Sequence, residues 1–287
     1  MHFILLATAV ATAPIEFTPV NAHLAYEKAR ELVQNCTPRD VGSPGARRAA
    51  YYILDQASAV GADARLDAFK AETPQGMREF TNVYAEFKRG GLDDKWVIVV
   101  SHYDTKPGTN CPGANDGAST TGLLIALASA VYDWKTPRGN LMFVWTDGEE
   151  SMSAYGDGDG LWGSRRAAEL VFKERRKVQA VICLDMLGDK DLQIYVPSNG
   201  STALGKIAMH AARKAGYHDL VQSTKEVVKD DHCAFLDRGY KAIDLIDFNF
   251  GPNNAYWHTP KDTIDKISEE SLLKSGKIVA EMLNILL

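Results

Sequence analysis

Four apolar runs in this chain each end on residues able to bind a metal ion. WVIVVS, from Trp96 to Ser101, leads into His102-Tyr103-Asp104; FVW leads into Asp147-Gly148-Glu149-Glu150; VICL leads into Asp185. DLID, from Asp244, opens a loop that ends Trp257-His258-Thr259. Gly113-Ala114-Asn115-Asp116-Gly117 adds an aspartate just before a helix, between glycines that let backbone approach closely. Taken singly, each has an ordinary structural reading: Asp116 can cap a helix, Asp147 can close a turn, and a lone histidine is more often hydrogen-bonded than metal-bound. Jointly, His102, Asp116, Glu150, Asp185 and His258 all fall at strand-to-loop junctions, and nitrogen and carboxylate donors of this kind suit zinc. If one sheet gathers these ends, Asp116, Glu150 and His258 can hold one ion. His102 and Asp185 then either hold a second ion that shares Asp116 or support the first from outside its ligand set.

Glu149 and Glu150 are neighbours, and successive side chains leaving a strand point in different directions. One can ligate while the other, close to the cation but not bonded to it, carries protons. Asp104, two residues past His102, is positioned to accept that histidine's second ring proton. Asp231 has two readings, as a cap of the helix running to Leu236 or as a member of an acid network with Glu149 and Asp185. Trp257, next to a ligand-type histidine, belongs at the edge of the site, where an indole can cover a small substrate side chain and exclude water. Tyr155 and Trp162 are candidates to complete that wall, Trp162 having helix packing as its alternative. Asp262 reads most simply as a turn or cap residue.

The pattern of the chain supplies elements that would position these groups. Helical spacing runs from Ala22 to Val33 after Asn21 and from Ala46 to Val60, with a turn-rich Pro38–Gly45 link between them. Strand patterns cover Ala64–Ala71, Thr81–Phe87 and, after a Gly90-Gly91 turn, Trp96–Ser101. Helix then alternates with strand: Gly117–Tyr132, Leu141–Trp145, Leu161–Lys173, Ala180–Leu184. Leu192–Val196 (strand), Thr202–Ala215 (helix), a short helix from Asp231, Ala242–Ile246 (strand) and a helix from about Glu269 to Leu287 follow. This order predicts a single α/β domain with a central mixed, mostly parallel β-sheet and helices on both faces, its chemistry at the strand ends.

Composition sets the outer limits. The 287 residues are 45% hydrophobic and 24% charged, a globular mixture with no internal break that would divide it. Net charge is −5, which gives no electrostatic reason to expect nucleic acid. Cysteines at 36, 111, 183 and 233 lack the paired short spacings of a zinc knuckle or a dense disulfide framework. The apolar run Phe3–Ala13 ends in Ala11-Thr12-Ala13 like a signal h-region with its cleavage site, though no Lys or Arg precedes it. It is too short to anchor the chain in a membrane. Residues 1–20 therefore read as a signal-sequence remnant and 21–287 as the catalytic domain, which implies a secreted or periplasmic protein.

These motifs, in this order, resemble the zinc aminopeptidases and the glutaminyl-peptide cyclotransferases (glutaminyl cyclases) that share their family. SHYD (101–104), GANDGAS (113–119), DGEE (147–150), LWGSR (161–165), LDMLG (184–188), DDHCAFLDRG (230–239) and WHTPKDT (257–263) carry the resemblance across 97–267, most of the chain. It implies a zinc exopeptidase-like fold and an enzyme acting on the N-termini of peptides or proteins. In the aminopeptidase branch it would put His102 and Asp185 on one zinc, Glu150 and His258 on another, and Asp116 between them, with Glu149 activating water. In the cyclase branch Asp116, Glu150 and His258 would hold a single zinc, and Glu149 would move a proton from the α-amine of an N-terminal glutamine to departing ammonia. Asp185 and Asp231 would join Glu149 in a hydrogen-bonded network.

Trp257 before His258, the DDH..FL.RG run and the long Ser151–Trp162 connection tilt the resemblance toward cyclization to pyroglutamate. Tyr155 stands where cyclases often carry Trp, and Asn115 and HTPKDT suit either branch. Expected, then, are one or two zinc ions, a peptide N-terminus as substrate, no nucleic acid, no membrane anchor and a monomer. The rivals are aminopeptidase activity and, at some distance, a metal-free binding module of the same fold.

Overall fold

The computed structural model describes residues 13–88, 94–132, 139–156 and 158–287. The Gly90-Gly91 turn and most of the apolar N-terminal run lie outside the described residues. Helix α1 (Pro19–Cys36) starts at a capping box in which Thr18 and Asn21 satisfy each other's backbone N–H groups, and α2 (Pro44–Ala59) starts where Ser43 Oγ accepts the Ala46 N–H. Both place proline in the first turn, where its missing N–H costs nothing. The remaining helices are α3 (Thr120–Tyr132), α4 (Trp162–Lys173), α5 (Thr202–Lys214), α6 (Asp231–Leu236) and α7 (Glu269–Leu286).

Eight strands form one sheet: β1 (Asp63–Thr73), β2 (Gly76–Phe87), β3 (Lys95–His102), β4 (Asn140–Thr146), β5 (Lys177–Asp185), β6 (Ile194–Val196), β7 (Val221–Ser223) and β8 (Ala242–Ile246). Their order is β1-β2-β4-β3-β5-β8-β6-β7, and the central four, β4-β3-β5-β8, are mutually parallel. The hairpin β1–β2 joins β4 antiparallel at one side, and β6 meets β8 antiparallel at the other. Side chains of the central strands alternate between two cores. Val97, Val99, Phe143 and Ile182 face α1, α2, α3, α5 and α7, while Ile98, Val100, Val144 and Val181 face α4 and α6. Burial on both faces explains why these strands read as unbroken apolar runs.

Three expectations need correction. The strand expected over Leu192–Val196 begins only at Ile194, and the short strand β7 beside it gave no sequence signal. The helix expected from Gly117 starts at Thr120, because Ala114–Ser119 forms an irregular turn with Asp116 (φ −83°, ψ 94°) and Gly117 (φ 95°, ψ −41°) outside helical geometry. The domain does not begin at residue 21. Ile15 and Phe17 are core residues, the Ile15 N–H donates to Asn284 Oδ1, and the Asn284 side-chain amide donates back to Ile15 O.

Candidate active site

The parallel centre of the sheet brings the C-terminal ends of β3, β4, β5 and β8 to one edge, the position where open α/β sheets bind ligands. His102 ends β3, Asp185 ends β5, and Glu149 and Glu150 follow β4 by three and four residues. Asp116 enters from the turn before α3, and His258 from the loop after β8. His258 Nε2 lies 2.7 Å from Glu150 Oε1 and 3.3 Å from Asp116 Oδ2. His102 Nε2 lies 3.2 Å from Asp116 Oδ1 and 3.1 Å from Asp185 Oδ1. Asp116 thus sits between two imidazoles and offers one oxygen to each.

Two donor sets follow, Asp116–Glu150–His258 and His102–Asp116–Asp185, each with its ligand atoms within 4.8 Å of one another. Four donors bonded tetrahedrally at about 2.05 Å stand roughly 3.3 Å apart, so the observed separations fit an ion with the bond lengths of zinc. The backbone is shaped to allow this approach. A Cβ on Gly117 would lie 2.8 Å from Asp104 O and 3.2 Å from His102 Cε1, and His258 itself is held at φ 55°, an unusual conformation for a non-glycine residue.

The electrostatics of this cluster call for a cation. Burial alone would lower the pKa of His258, but hydrogen bonds to Asp116 and Glu150 outweigh it and raise the imidazole to about 9. Burial likewise disfavours charge on His102, yet Asp104, Asp116 and Asp185 hold it well above the usual range. Burial would raise the pKa of Asp116, but the two histidines reverse the sign and keep it ionised. Burial and then the charge of Asp116 raise Glu150, and burial raises Asp185 to about 6. Protonated histidines stand in for positive charge that a metal ion would otherwise supply.

Polar anchors hold these ligands in place. Asp104 accepts the backbone N–H groups of Glu149 (3.1 Å) and Glu150 (3.2 Å). Its Oδ1 stands 3.5 Å from His102 Nδ1, a charge contact that falls short of hydrogen-bond geometry. Asp262 accepts the N–H groups of Asn115 (2.7 Å) and Asp116 (3.0 Å), so it orients the ligand turn and does more than close a local one. Arg39, fully buried, donates to the carbonyls of Tyr103, Pro112 and Gly113 and ties the end of β3 to the loop that leads into Asp116. Sequence reasoning missed Arg39; a single arginine in a turn-rich link carries no pattern that announces burial.

A cavity of about 500 Å³ opens onto the cluster, with Glu149, Tyr155, Asp230 and Trp257 in its wall. Trp257 stacks on His258 with ring centroids 3.9 Å apart, and Phe248 packs against Trp257 at 4.9 Å. The Tyr155 hydroxyl is 3.0 Å from both oxygens of Glu149 and 3.3 Å from Glu150 Oε2. Its loop is pinned by Asp159, which accepts the N–H groups of Met152, Ser153 and Ala154. Lys106 Nζ adds a cation 3.5 Å from Glu150 Oε2 and bonds Ser151. Trp162 is not in the wall: it packs on Phe80 and donates to Glu72 O.

Asp231 does not face the cavity. Its Oδ2 accepts from Thr146 Oγ1 and it is fully buried, whereas its neighbour Asp230 caps α6 and reaches the cavity wall. Burial and then the charge of Asp230 are the leading causes that raise Glu149 well above the usual carboxylate range, with Asp231 a lesser one. In two consecutive aspartates the sequence shows the acid but not the helix start that turns one outward.

The family model for peptidase family M28 matches residues 82–283. The chain belongs to peptidase family M28. Among curated relatives it is 28% identical to a glutaminyl-peptide cyclotransferase of Dictyostelium discoideum, over 84% of this chain and 79% of that protein. It is 27% identical to a probable leucine aminopeptidase of Arthroderma otae, over 81% of this chain and 64% of that protein. The crystal structure of an Acidobacteriales bacterium glutaminyl cyclase superposes with a TM-score of 0.88 at 33% identity, covering 97% of this chain and 98% of that one. A leucine aminopeptidase precursor from Bacteroides thetaiotaomicron shares the fold at a TM-score of 0.84 and 23% identity.

Proposed function

We propose that this M28 enzyme is a zinc-dependent glutaminyl-peptide cyclotransferase, which converts an N-terminal glutamine to pyroglutamate and releases ammonia. The observation that carries the reading is the placement of Glu149 beside, but outside, the Asp116–Glu150–His258 donor set, under an aromatic wall stacked on the ligand histidine. Cyclization needs an acid-base group and little water, and the wall supplies the second condition.

Asp116, Glu150 and His258 would hold the zinc, which when bound polarises the side-chain amide of the substrate glutamine. The other steps belong to the chain's own residues. Trp257 covers the glutamine side chain and limits the conformations in which it can lie. Glu149, buried and close to its neighbours' negative charge, is a strong enough base to take a proton from the α-amine as its nitrogen attacks. The freed amine nitrogen bonds to Cδ of the same residue and closes a five-membered ring. Glu149 returns the proton to the amide nitrogen, the Cδ–N bond breaks, and ammonia leaves. Tyr155 donates to the Glu149 carboxylate and fixes its orientation, and Asp230 and Asp185 complete the acid network in which the sequence had suggested Asp231.

One observation favours a second reading. The His102–Asp116–Asp185 donor set is as compact as the first, and a second ion there would suit an aminopeptidase that attacks with water. Metal-loaded protein incubated with a Gln-initiated and a Leu-initiated peptide separates the two. Loss of ammonia alone supports cyclization; loss of the N-terminal residue means hydrolysis. Glu149→Gln is expected to abolish turnover while keeping metal, and persistent turnover would refute the proton-carrier role. Export of the protein, read from Phe3–Ala13, belongs to this proposal and is tested by the N-terminal sequence of the mature chain. Among the described residues no helix is long and apolar enough to cross a membrane.

A further inference from the structure

A third group of ligand-type side chains lies where the first turn of α6 meets β5 and β8. Cys183 and Asp244 are register partners on those strands, and both alternate onto the face that Val181 and Ala242 present to α4 and α6. Asp230 and Asp231 start α6 on the same face, and the Cys183 thiol donates to Asp230 Oδ1 at 3.2 Å. One ligand atom each from Cys183, Asp230 and Asp231 fall within 4.8 Å of one another. None of the four residues is more than 3% exposed.

The hydrogen bonding of this group is incomplete. Both oxygens of Asp244, and Oδ1 of Asp231, have no hydrogen-bond partner among the described residues. Native interiors rarely tolerate three unmatched carboxylate oxygens in one place. The charges that bear most on Asp244 come from Asp230 and Asp185, so its leading neighbours add negative charge. A thiolate bonds zinc at about 2.3 Å and a carboxylate at about 2.0–2.2 Å, which suits donors spaced this way around a single ion.

We propose that Cys183, Asp230 and Asp231 bind a buried divalent cation of the zinc type, distinct from the Asp116–Glu150–His258 centre, with the unpartnered Asp244 carboxylate beside them. The three donors are at most 3% exposed, and only Asp230 also borders the cavity, which marks the site as structural. Thr146 Oγ1 and the Asp231 N–H share the remaining negative charge by donating to Asp231 and Asp230. The ion would fasten the start of α6 to the sheet and thereby set Asp230 on the cavity wall. The inference holds whichever reaction the enzyme runs.

Cobalt is the probe, because a cysteine ligand gives a thiolate-to-cobalt charge-transfer band that the nitrogen and oxygen centre cannot give. The full chain would be produced in zinc-limited, cobalt-supplemented medium and its metal content measured per chain. The band should be present in the unaltered protein and in His258→Ala, which loses only the ion of the other centre. Cys183→Ser should lose the band and one ion per chain. Asp231→Asn, nearly isosteric and keeping the thiol, should lower the band as well, and it decides the matter if Cys183→Ser fails to fold. Cobalt bound without the band, or an unchanged ion count in both variants, would overturn the proposal and leave shared protons as what satisfies these oxygens.

Discussion

Asp262→Asn isolates the contribution of one buried carboxylate that touches no substrate. Asp262 is fully buried and accepts two backbone N–H groups, from Asn115 at 2.7 Å and from Asp116 at 3.0 Å, with one oxygen apiece. An asparagine of the same shape keeps one acceptor and turns its amino group toward the other N–H. That strands a buried donor and removes a charge-assisted bond, a loss of about 2–3 kcal/mol. Because Asp116 rides on the disturbed turn, zinc affinity should fall on the order of 10- to 100-fold. Chelator competition measures the affinity, and thermal unfolding with and without metal measures the stability. Asp265→Asn, an acid exposed on the same segment, serves as control. If Asp262→Asn binds zinc and unfolds like the unaltered protein, the turn is held by something else and the argument fails.

Other outcomes follow from the same geometry. In the metal-free protein His258 carries a proton up to about pH 9, so zinc must displace it. Zinc affinity measured across pH should therefore weaken on the order of tenfold per unit on lowering the pH, for each proton displaced. Burial and then the charge of Asp104 raise Asp147 to about 8 from 3.8, so the folded chain binds this proton more tightly than the unfolded one. The stability it contributes is full below pH 3.8 and is lost as pH rises toward 8, so the unfolding temperature of the metal-free protein should drop over that range and Asp147→Asn should lessen the drop. Gly117→Ala, at φ 95° with a Cβ 2.8 Å from Asp104 O, should cost on the order of 1–3 kcal/mol and show as a lower unfolding temperature. Trp257→Ala should lower turnover of Gln-initiated peptides far more than it lowers metal content, both read on the same preparation.

What the sequence made legible was periodic or punctuated. The central strands are buried on both faces, so they stand out as apolar runs, and a polar residue ending such a run marks a sheet edge; that is how His102, Glu150 and Asp185 were found. Residues whose importance comes from long-range contact were not legible. Arg39 reaches three carbonyls of loops far along the chain, and Asp262 accepts from a turn 146 and 147 residues away. Asp230 and Asp231 differ only by their place at a helix start, which six residues of helix do not announce. Trp162 carried the same aromatic signal as Trp257, yet the first packs on Phe80 and the second on His258.

The clasp between Ile15 and Asn284 bears on how the chain can be matured. The backbone of Ile15 is tied to the final helix, and a Cβ on Gly276 would collide with the Phe17 ring that rests there. Proteolytic trimming that spares the enzyme therefore has to stop before Ile15. A cut a few residues further on would take the Phe17 ring away from α7 and open an apolar seam to solvent.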